Sequence, residues 1–215
     1  MEEMLILDFP DPESAEADGL IGVGGVLNTA NLLRAYSMGI FPWTSKPVSW
    51  WSPDPRGIIE IGGLHINRSL RRFLKKNPYE ITFNQDFEGV IRGCAQGRDE
   101  GTWIDEDIIR AYVGFHLSGF AKSVECWADG KLVGGLYGVA FKGLFAGESM
   151  FSRADNASKV ALTFLMDRLV ERGYQLMDIQ MLTPVTASLG GVAIPRSEYL
   201  RRLEMAMECE CQFDS

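Results

Sequence analysis

Three polar side chains stand out because each sits in an apolar setting. Asp178 and Gln180 fall two residues apart in the run LMDIQ, and Glu148 interrupts the small and apolar run GESMFS. If Gln175–Gln180 is a strand, Asp178 and Gln180 point to the same side. A carboxylate and a carboxamide aimed one way from a mostly apolar strand suit a polar site in a dry pocket. The same pattern also describes an edge strand whose polar face meets solvent.

The elements around these residues are legible. Leu144–Ala146 is an apolar, strand-like run leading to Glu148. A helix follows, with Asp155 or Asn156 as N-cap. Val160, Ala161, Phe164, Leu165, Leu169 and Val170 recur at helical spacing, and Gly173 ends the helix. Upstream, Ser123–Trp127 and Leu132–Val139 flank Asp129-Gly130, a hairpin signal, and Leu144–Glu148 supplies a third strand. Tyr79–Phe83 reads as a strand, Asp86–Ala95 and Glu106–Leu117 as helices, and RDEGTWIDED (98–107) as a loop carrying Trp103. A last helix runs over Arg196–Met207. This order predicts an α+β fold, a mostly antiparallel sheet covered by helices.

Composition narrows the function classes. The chain has 215 residues, 46% of them hydrophobic, and a net charge of −8. That charge gives no global sign of nucleic-acid binding. The acidic start, MEEMLILDFPDPE, lacks the basic region of a signal peptide, and no apolar run is long enough to span a membrane. With only two histidines, and with Cys94, Cys126, Cys209 and Cys211 in no paired spacing, neither a metal site nor a disulfide framework is expected. The cysteines read as free thiols in a reducing cytoplasm.

Two stretches depart from the average. In IFPWTSKPVSWWSPDPRG (40–57), four prolines and three tryptophans fall within eighteen residues. Proline forbids a regular helix there, and the tryptophans need burial or a ligand to cover them. The stretch reads either as a rigid connector or as an aromatic platform for a planar ring. A domain boundary is expected near Pro55, giving domains 1–55 and 56–215. The other stretch is HINRSLRRFLKK (65–76). Behind Asn67 as N-cap, Arg68, Arg72, Lys75 and Lys76 fall on one helical face and Leu70, Phe73 and Leu74 on the other. Basic charge gathered against the global sign suits an anionic partner such as a phosphate backbone, or it is a solvated face. The glycine-dense GLIGVGG (19–25) lacks full phosphate-loop spacing and reads as a tight turn. A helix capped by Asn28 or Thr29, with Leu32, Leu33 and Tyr36 as its stripe, follows and stops at Gly39.

The segments GIFPW, WWSPDPR, GTWI, LVGGLYGVA, GESMFSR and ASLGG, in this order, resemble the leucyl/phenylalanyl-tRNA–protein transferases. The resemblance runs from about Phe9 to Met207. It implies a small N-terminal domain plus a larger domain like the GNAT acyltransferases. It further implies transfer of Leu, Phe or Met from aminoacyl-tRNA to the α-amino group of proteins that begin with Arg or Lys, marking them for degradation. No cofactor, metal or covalent nucleophile is implied, because the aminoacyl ester is already activated. A cytoplasmic monomer is expected. By the same resemblance Asp178 holds or deprotonates the amine, Gln180 orients the amine or the ester carbonyl, and Glu148 receives the acceptor's basic side chain. Tyr36, Trp43 and Trp103 match positions that stack the 3′-terminal adenosine. Leu136, Phe145, Met150, Leu165, Leu169 and Ile179 line the donor pocket, and Arg68, Arg72, Lys75 and Lys76 match a tRNA-binding cluster.

Some positions depart from the family pattern. Ile179 stands in place of the usual cysteine, Val185 in place of histidine, and Leu165 and Leu169 in place of the aromatics of some members. Two other readings remain: a GNAT-type N-acetyltransferase, against which the helix opening SRADNASK lacks the pyrophosphate-binding glycines, and a non-catalytic RNA-binding module.

Overall fold

The computed structural model describes residues 6–76, 78–96 and 102–214. Of the expected 98–107 loop, residues 98–101 lie outside the described residues.

The chain opens with a small antiparallel sheet. It is made of β1 (Leu20–Val23), β2 (Phe41–Ser45) and β3 (Val48–Trp51), in the order β1-β3-β2. The proline-rich stretch, barred from helix, supplies β2 and β3. Between β1 and β2 lies α1 (Thr29–Ser37), started by the Asn28 side chain accepting from the Asn31 N–H.

The second sheet has seven strands, in the order β10 (Val192–Ile194), β4 (Arg56–Ile59), β9 (Leu176–Gln180), β8 (Leu144–Ser152), β7 (Lys131–Phe141), β6 (Ala121–Ala128) and β5 (Glu80–Phe83). All neighbours are antiparallel except β8 and β9. That parallel pair needs a crossover, and the crossover is α5 (Ala157–Glu171). The expected α+β class therefore holds. The β6–β7 hairpin turns at Asp129-Gly130 with both φ angles positive, as that dipeptide favours.

Helices cover both faces. Val160, Ala161, Leu165 and Leu169 of α5 pack with Phe145 and Met177 on one face. α3 (Phe87–Ala95) and α4 (Glu106–Leu117) pack on the other, and α7 (Arg196–Met207) covers Leu144 and Leu176. The apolar cluster under α3 and α4 also holds Leu32 and Tyr36 of α1 and Trp50 of β3, so one core runs across the expected boundary at Pro55. The basic segment forms α2 (Arg68–Leu74), with Asn67 capping the Leu70 N–H and Leu70 buried against the α5 side.

Candidate active site

The parallel pairing of β8 and β9 stops at Ala146 and Asp178. Beyond it β8 continues against β7, while β9 continues against β4. The strands part, and the gap between them is the site.

Glu148 enters this gap because it is the extra residue of a β-bulge. Tyr137 pairs with Ser149 and Gly138 with Gly147, which leaves Glu148 without a partner across the ladder. Such a bulge re-aims one side chain. Its Oε1 accepts from Tyr36 Oη at 2.6 Å and from Gln180 Nε2 at 2.7 Å. Its Oε2 accepts from Tyr112 Oη at 3.3 Å, and the two tyrosine oxygens lie 2.5 Å apart. Burial pushes the Glu148 carboxyl up to about 7, against the pull of the tyrosine donors and with a further push from the Asp178 charge. The same burial, with the Glu148 charge beside them, raises both tyrosines well above their ordinary value.

The Glu148 shift has a consequence for stability. Its folded value of about 7 lies above the ordinary 4.5, so the folded chain holds the proton more tightly than the unfolded chain does. The resulting stabilisation is full below about pH 4.5 and is lost as pH rises through about 7. Glu148→Gln cannot ionise, so its Tm relative to wild type should be higher at pH 8 than at pH 5. Calorimetry at both pH values tests this, and an identical Tm difference at the two would rule out the raised value.

Asp178 and Gln180 do not share one environment. The expectation assumed extended backbone, but Gln180 is left-handed, with φ 62°. Asp178 turns toward Arg56 of β4 and Tyr199 of α7, while the Gln180 amide reaches Glu148. Asp178 is 1% exposed.

Two cavities flank Glu148. One, about 170 Å³, is apolar, and its walls include Leu136, Met150, Leu165 and Ile179 of the expected donor pocket. Phe145 and Leu169 are not on these walls; both are fully buried in the core beneath α5. The other, about 280 Å³, is an aromatic cleft with Trp43 and Trp103 on its walls. Tyr36 is not among them: its ring packs parallel to Phe115 and its hydroxyl is held by Glu148. The two cavities share Glu148, Ile179, Met181 and Thr183. Among the described residues, no group of histidine, cysteine and acidic side chains is arranged to hold a metal ion. Arg68 and Arg72 are exposed on α2, but the helix ends at Leu74: Lys75 is its C-cap and Lys76 lies just beyond, so the four residues do not share one helical face. All four are exposed, and no ion pair among the described residues engages them.

Sequence reasoning gave no role to Arg56, Tyr112 or Tyr199. Tyr112 lies on the buried face of α4 with Ile108 and Phe115, a pattern that reads as plain core. Arg56 did carry a signal. An arginine followed directly by the strand GII must find an acid if it is buried.

The family model described as leucyl/phenylalanyl-tRNA protein transferase matches residues 58–204, and the model of that family's N-terminal domain matches residues 25–54. The chain belongs to the leucyl/phenylalanyl-tRNA–protein transferase family. It is a transferase. A leucyl/phenylalanyl-tRNA–protein transferase from an Enterobacter species (strain 638) is 55% identical over 199 residues, covering 91% of this chain and 85% of that one. One from Escherichia coli O81 (strain ED1a) is 51% identical over the same shares. Among solved structures, a ribosomal-protein-alanine N-acetyltransferase from Brucella melitensis biovar Abortus 2308 aligns over 46% of this chain and 76% of its own, with 18% identity and a TM-score of 0.33. No helix among the described residues is long and apolar enough to cross a membrane.

Proposed function

We propose that this chain moves leucine, phenylalanine or methionine from aminoacyl-tRNA to the α-amino group of polypeptides that begin with Arg or Lys. It does so in the cytoplasm, and the product is marked for degradation. One observation carries the reading: an apolar cavity and a tryptophan-walled cleft meet at a single ionisable carboxylate, Glu148.

The parts suit the chemistry. A 3′-terminal adenosine needs a sequence-tolerant aromatic surface, which Trp43 and Trp103 offer. The donor's apolar side chain enters the adjoining cavity, where adaptable Met150 and Met177 accept more than one shape. The ester carbonyl then lies where the cavities meet, beside Glu148 and Gln180. Glu148 draws in the cationic acceptor, and Gln180 orients the amine or the carbonyl. In the reaction the ammonium first loses a proton to solvent. Its nitrogen attacks the ester carbon and the bond from that carbon to the ribose oxygen breaks; of the two protons left on the amine, one ends on the departing ribose oxygen and the other stays on the new amide nitrogen. The ester supplies the driving force, so the residues contribute proximity and charge placement.

The deciding experiment offers labelled leucyl-tRNA with a peptide that begins with Arg, and separately labelled acetyl-CoA with the same peptide. Label passing from leucyl-tRNA to the peptide α-amine is expected. Tight tRNA binding without transfer would favour the RNA-binding reading, and label from acetyl-CoA the acetyltransferase reading.

Donor choice follows from the cavity. A charged donor such as aspartate would bury an unpaired carboxylate and be rejected. Leu165 is buried on the cavity wall. Leu165→Trp should lower kcat/KM for phenylalanyl-tRNA more than for leucyl-tRNA, by about tenfold in their ratio. Competition between the two charged tRNAs measures this, and an unchanged ratio would remove Leu165 from the donor pocket.

A further inference from the structure

We propose that Arg56 and Tyr199 are positioning residues for transfer: they immobilise the Asp178 carboxylate so that it pins the backbone of Gln180 in the conformation that carries the Gln180 amide to Glu148. The inference rests on the transfer reading above.

A carboxylate offers about four lone-pair directions. In Asp178 all four are engaged by the protein. Oδ1 accepts from Arg56 Nε at 2.9 Å and from the Gln180 backbone N–H at 2.7 Å. Oδ2 accepts from Arg56 Nη2 at 2.6 Å and from Tyr199 Oη at 2.9 Å. Arg56 and Asp178 side chains are each only 1% exposed. A substrate amine has neither a free lone pair nor a path of approach on Asp178, so proton abstraction is not the task this geometry serves.

The clamp is itself held. Arg56 Nη1 donates to the Gly39 carbonyl at 2.9 Å, just past α1. Its guanidinium lies over the rings of Phe41, 4.9 Å away, and Tyr199, 4.4 Å away. An arginine fork packed against two aromatic rings and paired bidentately fixes a carboxylate in orientation as well as in place.

What this rigidity positions is Gln180. A left-handed backbone is uncommon for a residue other than glycine and persists only where the surrounding structure imposes it. Here Asp178 accepts the N–H two residues on, the local bond by which Asp side chains stabilise turns. With that backbone set, Gln180 Nε2 donates to Glu148 Oε1 at 2.7 Å, and Gln180 lines the tryptophan cleft. The path therefore runs from Arg56 and Tyr199 through Asp178 to the Gln180 backbone, and from there to the amide that meets the substrates. Misplacing a reacting or orienting group by about an ångström costs up to about 10²-fold in rate.

The test uses the full chain with leucyl-tRNA and an Arg-starting peptide, after transfer by wild type has been established. Absence of wild-type transfer would sink the transfer reading itself. Tyr199→Phe keeps the ring against Arg56 and removes only the hydroxyl; Arg56→Lys keeps a cation and removes the fork. Tyr199→Phe is expected to lower kcat about tenfold and Arg56→Lys by more, with KM for leucyl-tRNA unchanged. The pH–rate profile should keep its shape in both. Wild-type kcat in Tyr199→Phe would overturn the proposal. So would a kcat loss matched by an equal rise in KM or by a fall in Tm to near the assay temperature, since either marks a structural role. If Arg56→Lys does not fold, Tyr199→Phe alone decides. Asp178→Asn supplies the remaining arm: loss of one limb of its pH–rate profile would make Asp178 a titrating base and overturn the positioning role.

Discussion

Transfer to an Arg-starting peptide should fall by about 10²-fold or more in Glu148→Ala, and by a similar factor in Gln180→Ala, while KM for aminoacyl-tRNA stays nearly constant. Glu148 is the acceptor at the centre of the site, taking hydrogen bonds from Tyr36, Tyr112 and Gln180. Replacing it removes the negative charge that draws a cationic acceptor into a partly buried site. Truncating one partner of a desolvated charge pair costs about 2–5 kcal/mol, which corresponds to at least 10-fold and commonly 10²-fold or more in rate constant ratio. Gln180→Ala leaves Glu148 in place but removes the amide that orients the reacting groups. Neither side chain is hydrogen-bonded to a residue of α2, so tRNA affinity should be spared. Steady-state kinetics with each substrate varied in turn measures the split. Wild-type turnover in both variants, with folding confirmed by thermal melting, would end the assignment of this site.

Reversing two charges on α2, as in the double variant Arg68→Glu with Arg72→Glu, should raise KM for aminoacyl-tRNA by about 10²-fold at low salt. With net charge −8 the whole chain repels tRNA, so binding must come from a local field. Arg68, Arg72, Lys75 and Lys76 supply a dense and exposed one. Screening over about 10 Å at 0.1 M salt makes distant acids matter less than this nearby face. Each phosphate that is no longer neutralised should also flatten the salt dependence by about one unit of slope or less. Transfer from a minimal aminoacyl-adenosine donor, which needs only the cleft and the apolar cavity, should be nearly unchanged. Comparing both donors at two salt concentrations separates the outcomes. Equal loss with both donors, in a folded variant, would make α2 an ordinary solvated face.

What the sequence revealed, and what it hid, follows from how local each signal is. Hairpin chemistry at Asp129-Gly130, caps at Asn28 and Asn67, and the helical stripe of α5 depend on neighbours in the chain, and each was legible, except that Val170, read as part of that stripe, is exposed. Glu148, Gln180 and Trp43 could be singled out because a polar or bulky residue in an unusual setting is visible without coordinates; Trp103 stands out only through the family resemblance. Three features depended on partners far away in sequence. The parting of the Asp178 and Gln180 side chains needs a left-handed residue and an arginine 122 positions earlier. The bulge at Glu148 shows only when its register against β7 is known. Leu169 and Phe145 share the apolar character of the true cavity wall, and only depth separates them from Leu165 and Met150.

The site's carboxylates are held by side chains from α1, α4, β4 and α7, which are scattered from Tyr36 to Tyr199 along the chain. This bears on how such a protein can change over evolution. No contiguous fragment shorter than residues 36–199 contains both the cavity and the groups that orient its acids. A recombination event that exchanged only residues 58–204 would import the bulged Glu148 while leaving its Tyr36 donor and the Arg56 clamp to a foreign N-terminal stretch. The unit that can be inherited or shuffled with its chemistry intact is therefore nearly the whole described chain, and the two stretches on either side of Pro55 are bound to vary together.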